Sequence, residues 1–139
     1  MTVEPAHSPA AYIETVLTEV CFGSEDSHPL EATIDRYFTP DYQQRTDGEL
    51  ADRDGFTGHV KALRALTANG SVQVREVIRD GSRIADRHEV TVTKRDGTTS
   101  RIEVYLFGEF AEDGRLRRID EVTRVLAGSQ SDAELGRTR

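Results

Sequence analysis

The chain has 139 residues, 36% of them hydrophobic and 31% charged, with 25 Asp and Glu against 18 Lys and Arg for a formal net charge of −7. That length fits one domain with its own core, and the acidic balance argues against a nucleic-acid partner, because a phosphate backbone would be repelled. The single cysteine, Cys21, excludes an intramolecular disulfide; with no signal-peptide pattern and no apolar run of spanning length, the default expectation is cytoplasmic residence and no membrane partner.

Residues 1–8 and 128–139 read as tails around one domain over 9–127, the second having almost nothing to bury. Ser8 and Pro9 punctuate the start of a first helix, in which Ile13, Val16, Leu17 and Val20 recur on one face and Gly23 is the stop. Cys21 lies on the apolar side of that helix, which reads as a buried inert thiol. A second helix starts at Ser27-His28-Pro29, carries Leu30, Ile34 and Phe38 on one stripe and ends at Thr39-Pro40-Asp41. Tyr42 to Thr46 reads as a short strand. A third helix is expected from Asp54 to Asn69, with Phe56, Val60, Leu63 and Leu66 or Thr67 inward and Gly70 as the stop.

The period then changes. Asp80-Gly81, Asp96-Gly97 and Asp113-Gly114 are hairpin turns between segments near 72–79, 83–94, 99–111 and 115–126, all rich in Val, Ile, Thr, Tyr and Phe. The fold class is therefore α+β: a curved antiparallel sheet, made of a four-strand meander and a short strand, wraps around three N-terminal helices as a cone with an internal pocket. Gly108 is the natural kink site in a long strand.

Alternation assigns the faces. Ile84, Val90, Val92, Ile102, Val104, Leu106, Ile119 and Val125 point inward, as do Val72, Val74 and Ile78. The same parity carries Glu76, Asp86, His88, Glu121 and Thr123 onto the apolar face. Polar groups there are costly unless paired or wet, which marks a cleft. Counting from the turns puts Asp86 opposite Glu76, and His88 in one tier with Leu106 and Glu121, roughly 10 Å from the latter across two strand spacings. Facing carboxylates at 76 and 86 would raise one pKa. Tyr105 and Phe107, with Val77 and Val122, point outward and predict a two-fold homodimer packed through the sheets.

The candidate catalytic residues are His88, Glu121 and Asp86. His88 is either a general acid–base or a packing histidine fixed by Asp86. Glu121 is either an acid raised by its apolar neighbours or the salt-bridge partner of Arg45. Asp86 orients His88. Arg45, Tyr12, Tyr42, Leu106 and Thr123 are the candidate substrate-binding residues. No metal and no cofactor are expected: His88, Asp86 and Glu76 match no established ligand spacing, His59 has no second ligand at helical spacing, and no Gly-rich phosphate loop or nucleophile elbow is present.

The order helix, helix, short strand, helix, four strands resembles the nuclear transport factor 2-like superfamily, and within it the polyketide-cyclase (SnoaL-like) and ketosteroid-isomerase-like branch. The stretches that carry the likeness are Tyr37-Phe38-Thr39-Pro40-Asp41-Tyr42-Gln43-Gln44-Arg45, Gly55-Phe56, Asp80 to Ala85 and Asp113 to Glu121, within residues 9–127. The positions of the tyrosine and two aspartates of ketosteroid isomerases fall here on Val16, Thr46 and Leu106, so that mechanism is not implied. A histidine common in cyclase-like members falls on Arg45, which can hold an enolate or carboxylate but cannot act as a base. The pocket carboxylate of such cyclases matches Glu121. The resemblance implies a cofactor-free pocket enzyme doing proton-transfer chemistry on a small, mostly apolar carbonyl compound, polyketide-like or steroid-like. A non-catalytic binding or dimerisation module, and a hydrolase or dehydratase, are the alternatives, since one fold hosts many functions.

Overall fold

The computed structural model describes residues 8–128; the tails expected at 1–8 and 128–139 lie outside the described residues, except for Ser8 and Gly128. Helix α1 (Pro9–Phe22) starts as the sequence predicts, Ser8 Oγ accepting from the Ala11 N–H at 3.1 Å. Gly23 ends it for a reason other than handedness. Its φ of −72° suits any residue, but a Cβ there would lie 2.4 Å from Glu19 O and 2.7 Å from His28 Cβ.

Helix α2 (Leu30–Tyr37) is shorter than the apolar stripe suggests. Phe38 leaves the helix and opens strand β1 (Phe38–Thr46), which starts four residues before Tyr42. The turn Asp47-Gly48, both at positive φ, leads into a strand absent from the sequence expectation, β2 (Glu49–Asp52). Asp52 then caps α3 (Arg53–Leu66) by accepting from Gly55 N–H at 2.9 Å. That helix ends three residues before the expected Asn69, and Thr67 begins β3 (Thr67–Asp80). Gly70 is thus a strand residue with the Phe22 ring lying over it. Strands β4 (Arg83–Lys94), β5 (Thr99–Phe110) and β6 (Leu116–Ala127) follow.

The six strands form one sheet in the order β2-β1-β6-β5-β4-β3. It is mixed rather than antiparallel throughout: β1 runs parallel to β6, while the pairs β1–β2, β3–β4, β4–β5 and β5–β6 are antiparallel. The helices pack on one face. There Phe38, Tyr42 and Phe56 form an edge-on aromatic triad with ring centroids 4.6–5.1 Å apart, beside the buried Ile13, Val16, Val20, Ile34 and Val60. No helix among the described residues is long and apolar enough to cross a membrane.

A bulge corrects the expected faces of β3. It falls between Val74 and Glu76, where Glu14 of α1 accepts from Val74 N–H at 2.8 Å. One extra residue inverts the parity that follows. Val77 therefore packs against the core, Ile78 is exposed, and Glu76 turns outward to Arg87 at 3.1 Å. Val77, not Glu76, stands opposite Asp86, so no carboxylate pair forms. Leu106 stands opposite Glu121 as expected, but the β4–β5 register pairs Asp86 with Leu106 and His88 with Val104. The tiers are Asp86–Leu106–Glu121 and His88–Val104–Thr123, so His88 lies one inward step from the tier of Glu121 and Leu106. Gly108 is buried mid-sheet, where a Cβ would sit 3.0 Å from Ile84 Cγ2.

Candidate functional site

The helices do not fill all the space against the inner face of the sheet. A cavity of about 100 Å³ remains between α1, α3 and the inner residues of β1, β3, β4, β5 and β6. Val90, Val92, Ile102, Val104 and Ile119 make most of its sheet wall, and Leu17, Phe56, Val60 and Leu63 most of its helix wall. Six polar or ionisable side chains border it: Cys21, Gln44, His59, His88, Glu121 and Thr123.

Glu121 is brought inward by β6 parity, two residues after the buried Ile119. Its Oε2 accepts from Thr46 Oγ1 at 3.0 Å and from Gln44 Nε2 at 3.3 Å, both on the parallel neighbour β1. Glu121 itself borders the cavity. Burial is the main influence on the group and raises its pKa to about 7; the nearby carboxylates of Asp47 and Asp86 add to that, while His88 and the Thr46 hydroxyl oppose it. A carboxyl poised there exchanges protons near neutral pH.

His88 and Asp86 are two residues apart on β4 and so share the inner face. His88 Nδ1 lies 3.0 Å from each carboxylate oxygen of Asp86, and the side chains are 2% and 0% exposed. With Nδ1 so held, Nε2 is the nitrogen left for the cavity that the ring borders. A ring fixed by a buried carboxylate is oriented and able to carry charge, the geometry of a proton donor or acceptor.

The remaining expectations divide. Thr123 borders the cavity, its hydroxyl donating to Asp47 Oδ2 at 2.6 Å. Tyr42 lies behind the wall: its ring belongs to the aromatic triad and its hydroxyl donates to Gln44 Oε1 at 2.5 Å, which aims the Gln44 amide at Glu121. Leu106 is core beneath the cavity rather than lining. Tyr12 is away from it, packed edge-on against Phe110 and Tyr37. Arg45 is on the opposite side of the sheet, exposed and paired with Asp120, whose carboxyl it holds below the usual range. It neither reaches a ligand in the cavity nor pairs with Glu121.

Three bordering residues escape the sequence reading. Gln44 shares the parity of Tyr42 and Thr46, which is a readable signal. His59 stands three residues after Phe56 and four before Leu63, on the buried stripe of α3. Cys21 touches the cavity, and burial together with Glu121 pushes its thiol up to about 12, so it is a neutral, weak donor there. Among the described residues, no group of three His, Cys, Asp or Glu side chains is arranged to hold a metal ion.

Comparison with known proteins agrees with this architecture. The SnoaL-like domain family matches residues 22–119. The uncharacterized protein C11D3.04c of Schizosaccharomyces pombe is 39% identical over 100 residues, which span 72% of this chain and 76% of that one. An NTF2-like protein of unknown function from Exiguobacterium sp. 255-15 superposes with a TM-score of 0.66 at 12% identity, covering 79% of this chain and 96% of that one. IdmH of Streptomyces antibioticus, itself provisionally assigned as a polyketide cyclase, gives 0.62 at 19% identity over 86% and 93% of the two chains. AclR of Streptomyces galilaeus, provisionally a hydroxylase, gives 0.63 at 14% identity over 83% and 76%. Identities this low speak for fold and not for chemistry. On the family match and the S. pombe relative, this chain belongs to the SnoaL-like domain family, and its fold is that of the NTF2-like protein above.

Proposed function

We propose that the protein is a cofactor-free acid–base enzyme acting on a small, mostly apolar carbonyl compound, by enolisation, aldol cyclisation or isomerisation. The observation that supports it most is Glu121: a carboxyl bordering an apolar cavity, pushed up to about 7, with one oxygen held by Thr46 and Gln44. In the reaction, Oε1 of ionised Glu121 takes the proton α to the carbonyl, and the C–H electron pair passes into the enolate. His88, protonated and held by Asp86, gives its Nε2 proton to the carbonyl oxygen. The role first expected of Arg45, stabilising the developing negative charge, falls to His88.

Size narrows the substrate. Sites for drug-sized ligands run to roughly 300–1,000 Å³, and a cavity of about 150 Å³ holds one benzene ring. At about 100 Å³, the part of the substrate that reaches Glu121 is no larger than one ring. A steroid-like or polyketide-like compound would be seated by one end.

The test is exchange of the α-protons of cyclohexanone in D2O, followed by NMR. The wild-type protein should accelerate it, and Glu121→Gln should lose on the order of a hundredfold or more. Absence of acceleration, or an undiminished rate in Glu121→Gln, would sink the enzymatic reading; saturable ligand binding without exchange would leave the binding module in its place.

The assembly belongs to the same proposal: a two-fold homodimer through the outer sheet face. Tyr105, Phe107 and Val122 support it, being 47%, 66% and 54% exposed on adjacent strands.

A further inference from the structure

A second, larger basin of about 590 Å³ lies at the end of α1, between that helix, α3 and the start of β3. Its charge is unlike that of the chain. The protein as a whole is acidic, with a formal net charge of −7, yet Lys61, Arg64 and Arg95 converge here against Glu25 and Glu31.

Arg64 is the unusual member. Its Nε donates to Val20 O and its Nη2 to Glu19 O, both at 2.9 Å, which satisfies the last carbonyls of α1. Its Nη1 is buried without a hydrogen-bond partner, the only side-chain nitrogen or oxygen in that state among the described residues. That Nη1 is ion-paired with Glu25 Oε2 at 3.5 Å without a hydrogen bond, the same carboxylate oxygen accepting from the Leu30 N–H at 3.0 Å. The Arg64 side chain is 11% exposed. Burying an unsatisfied guanidinium N–H is costly, and an incoming anion would remove that cost.

The basin and the inner cavity share two wall residues, Cys21 and Phe22. The Phe22 ring stands between them, seated on Gly70. We propose that the basin is an anion-holding antechamber to the inner cavity, and that the ligand is a small apolar carboxylate whose carboxylate binds Arg64 Nη1 and Lys61 while its apolar end passes Phe22 toward Glu121. This deepens the reading above and rests on it for the role of the inner cavity. It adds the substrate class: an acid as well as a carbonyl compound.

The probes are 3-phenylpropionate and its neutral counterpart 3-phenylpropanol, each a single ring with a three-carbon tail, compared by calorimetry and thermal shift. The wild-type protein should bind the acid about tenfold more tightly than the alcohol or better, with the preference shrinking as salt is added. Arg64→Met should abolish the preference. If that variant fails to fold because the α1 carbonyls lose their donors, Lys61→Met, at an exposed position on α3, should still reduce it. Equal binding of acid and alcohol, binding of neither, or a preference that survives in the folded variants overturns the proposal. A failure of the antechamber is thus read in the acid-to-alcohol ratio, and a failure of the acid–base reading in proton exchange alone.

Discussion

Asp47 grips Thr123 with both carboxylate oxygens, Oδ1 accepting from the Thr123 backbone N–H at 2.8 Å and Oδ2 from its hydroxyl at 2.6 Å. It reaches both because it turns the chain at a φ of 50°, and its own N–H donates to Glu121 O at 3.0 Å. The β1–β2 hairpin is thereby stapled to Glu121 and Thr123, inward residues of β6 that border the cavity. Asp47→Ala orphans two donors and keeps the positive φ, so it should cost about 2 kcal/mol in urea unfolding. Asp47→Asn retains an acceptor but removes a negative charge that disfavours ionised Glu121. The Glu121 titration, followed by NMR of its labelled carboxyl carbon, should then move below about 7, by less than about one pH unit because burial is the larger cause. An unmoved midpoint would count against this electrostatic coupling.

Glu121 also makes stability depend on pH in a particular direction. Its folded pKa is raised from 4.5 to about 7, so the folded state holds a proton that the unfolded chain releases. The group therefore favours folding fully below about 4.5 and loses that contribution as pH rises through about 7. The full difference is about 3 kcal/mol. Glu121→Gln lacks the titration. Measured by urea unfolding between pH 4 and pH 8, the variant should gain on the wild-type protein by an amount of that order, with the gain falling between the two pKa values. Parallel pH profiles would show that the carboxyl is not desolvated.

The parts of the fold that were legible are those in which each residue obeys one local rule. The turns at Gly81, Gly97 and Gly114 have φ of 60°, 92° and 90°, which only glycine adopts cheaply, so the Asp-Gly pairs announce them. The inward placement of Glu121, His88 and Asp86 follows from the two-residue period of β4 and β6. What failed was register. Glu76 and Ile78 take the other face because a bulge adds a residue without changing composition, whereas His88 falls in another tier because the β4–β5 hairpin pairs it with Val104 and not Leu106. Strand β2 is a four-residue edge element with no apolar alternation to read. Arg45 was expected in the pocket from a resemblance; the parity running from buried Tyr42 through Gln44 to Thr46 puts it outside, and parity prevails.

The outer face of the sheet offers a test of assembly. Phe107 and Tyr105 point away from the core on β5, with Val122 opposite Tyr105 on β6. Phe107→Glu places a charge in the middle of that patch without touching buried residues. Sedimentation should show a dimer for the wild-type protein and a monomer for the variant, with thermal stability at high dilution nearly equal. A wild-type monomer at all concentrations would refute the assembly.

Phe22 and Gly70 set the wall between the two cavities, and the wall can be moved by a single methyl group. A Cβ on Gly70 would lie 2.3 Å from Phe22 Cε1 and 2.4 Å from Cζ, distances no real pair of carbons tolerates. The Gly70 backbone is fixed in the β3–β4 ladder opposite Val92, whereas the ring is the free end of a side chain, so the ring must yield. Gly70→Ala should displace Phe22 and cost about 1–2 kcal/mol, in the range of overpacking. Displacing the ring widens the passage between a void of about 100 Å³ and one of about 590 Å³. The variant should therefore admit bulkier apolar probes, such as naphthalene derivatives, that the wild-type protein binds weakly. Phe22→Ala should do the same without the backbone clash. A Gly70→Ala protein with the Phe22 ring unmoved in its crystal structure, and with the same probe preference, would show that this ring is not the partition.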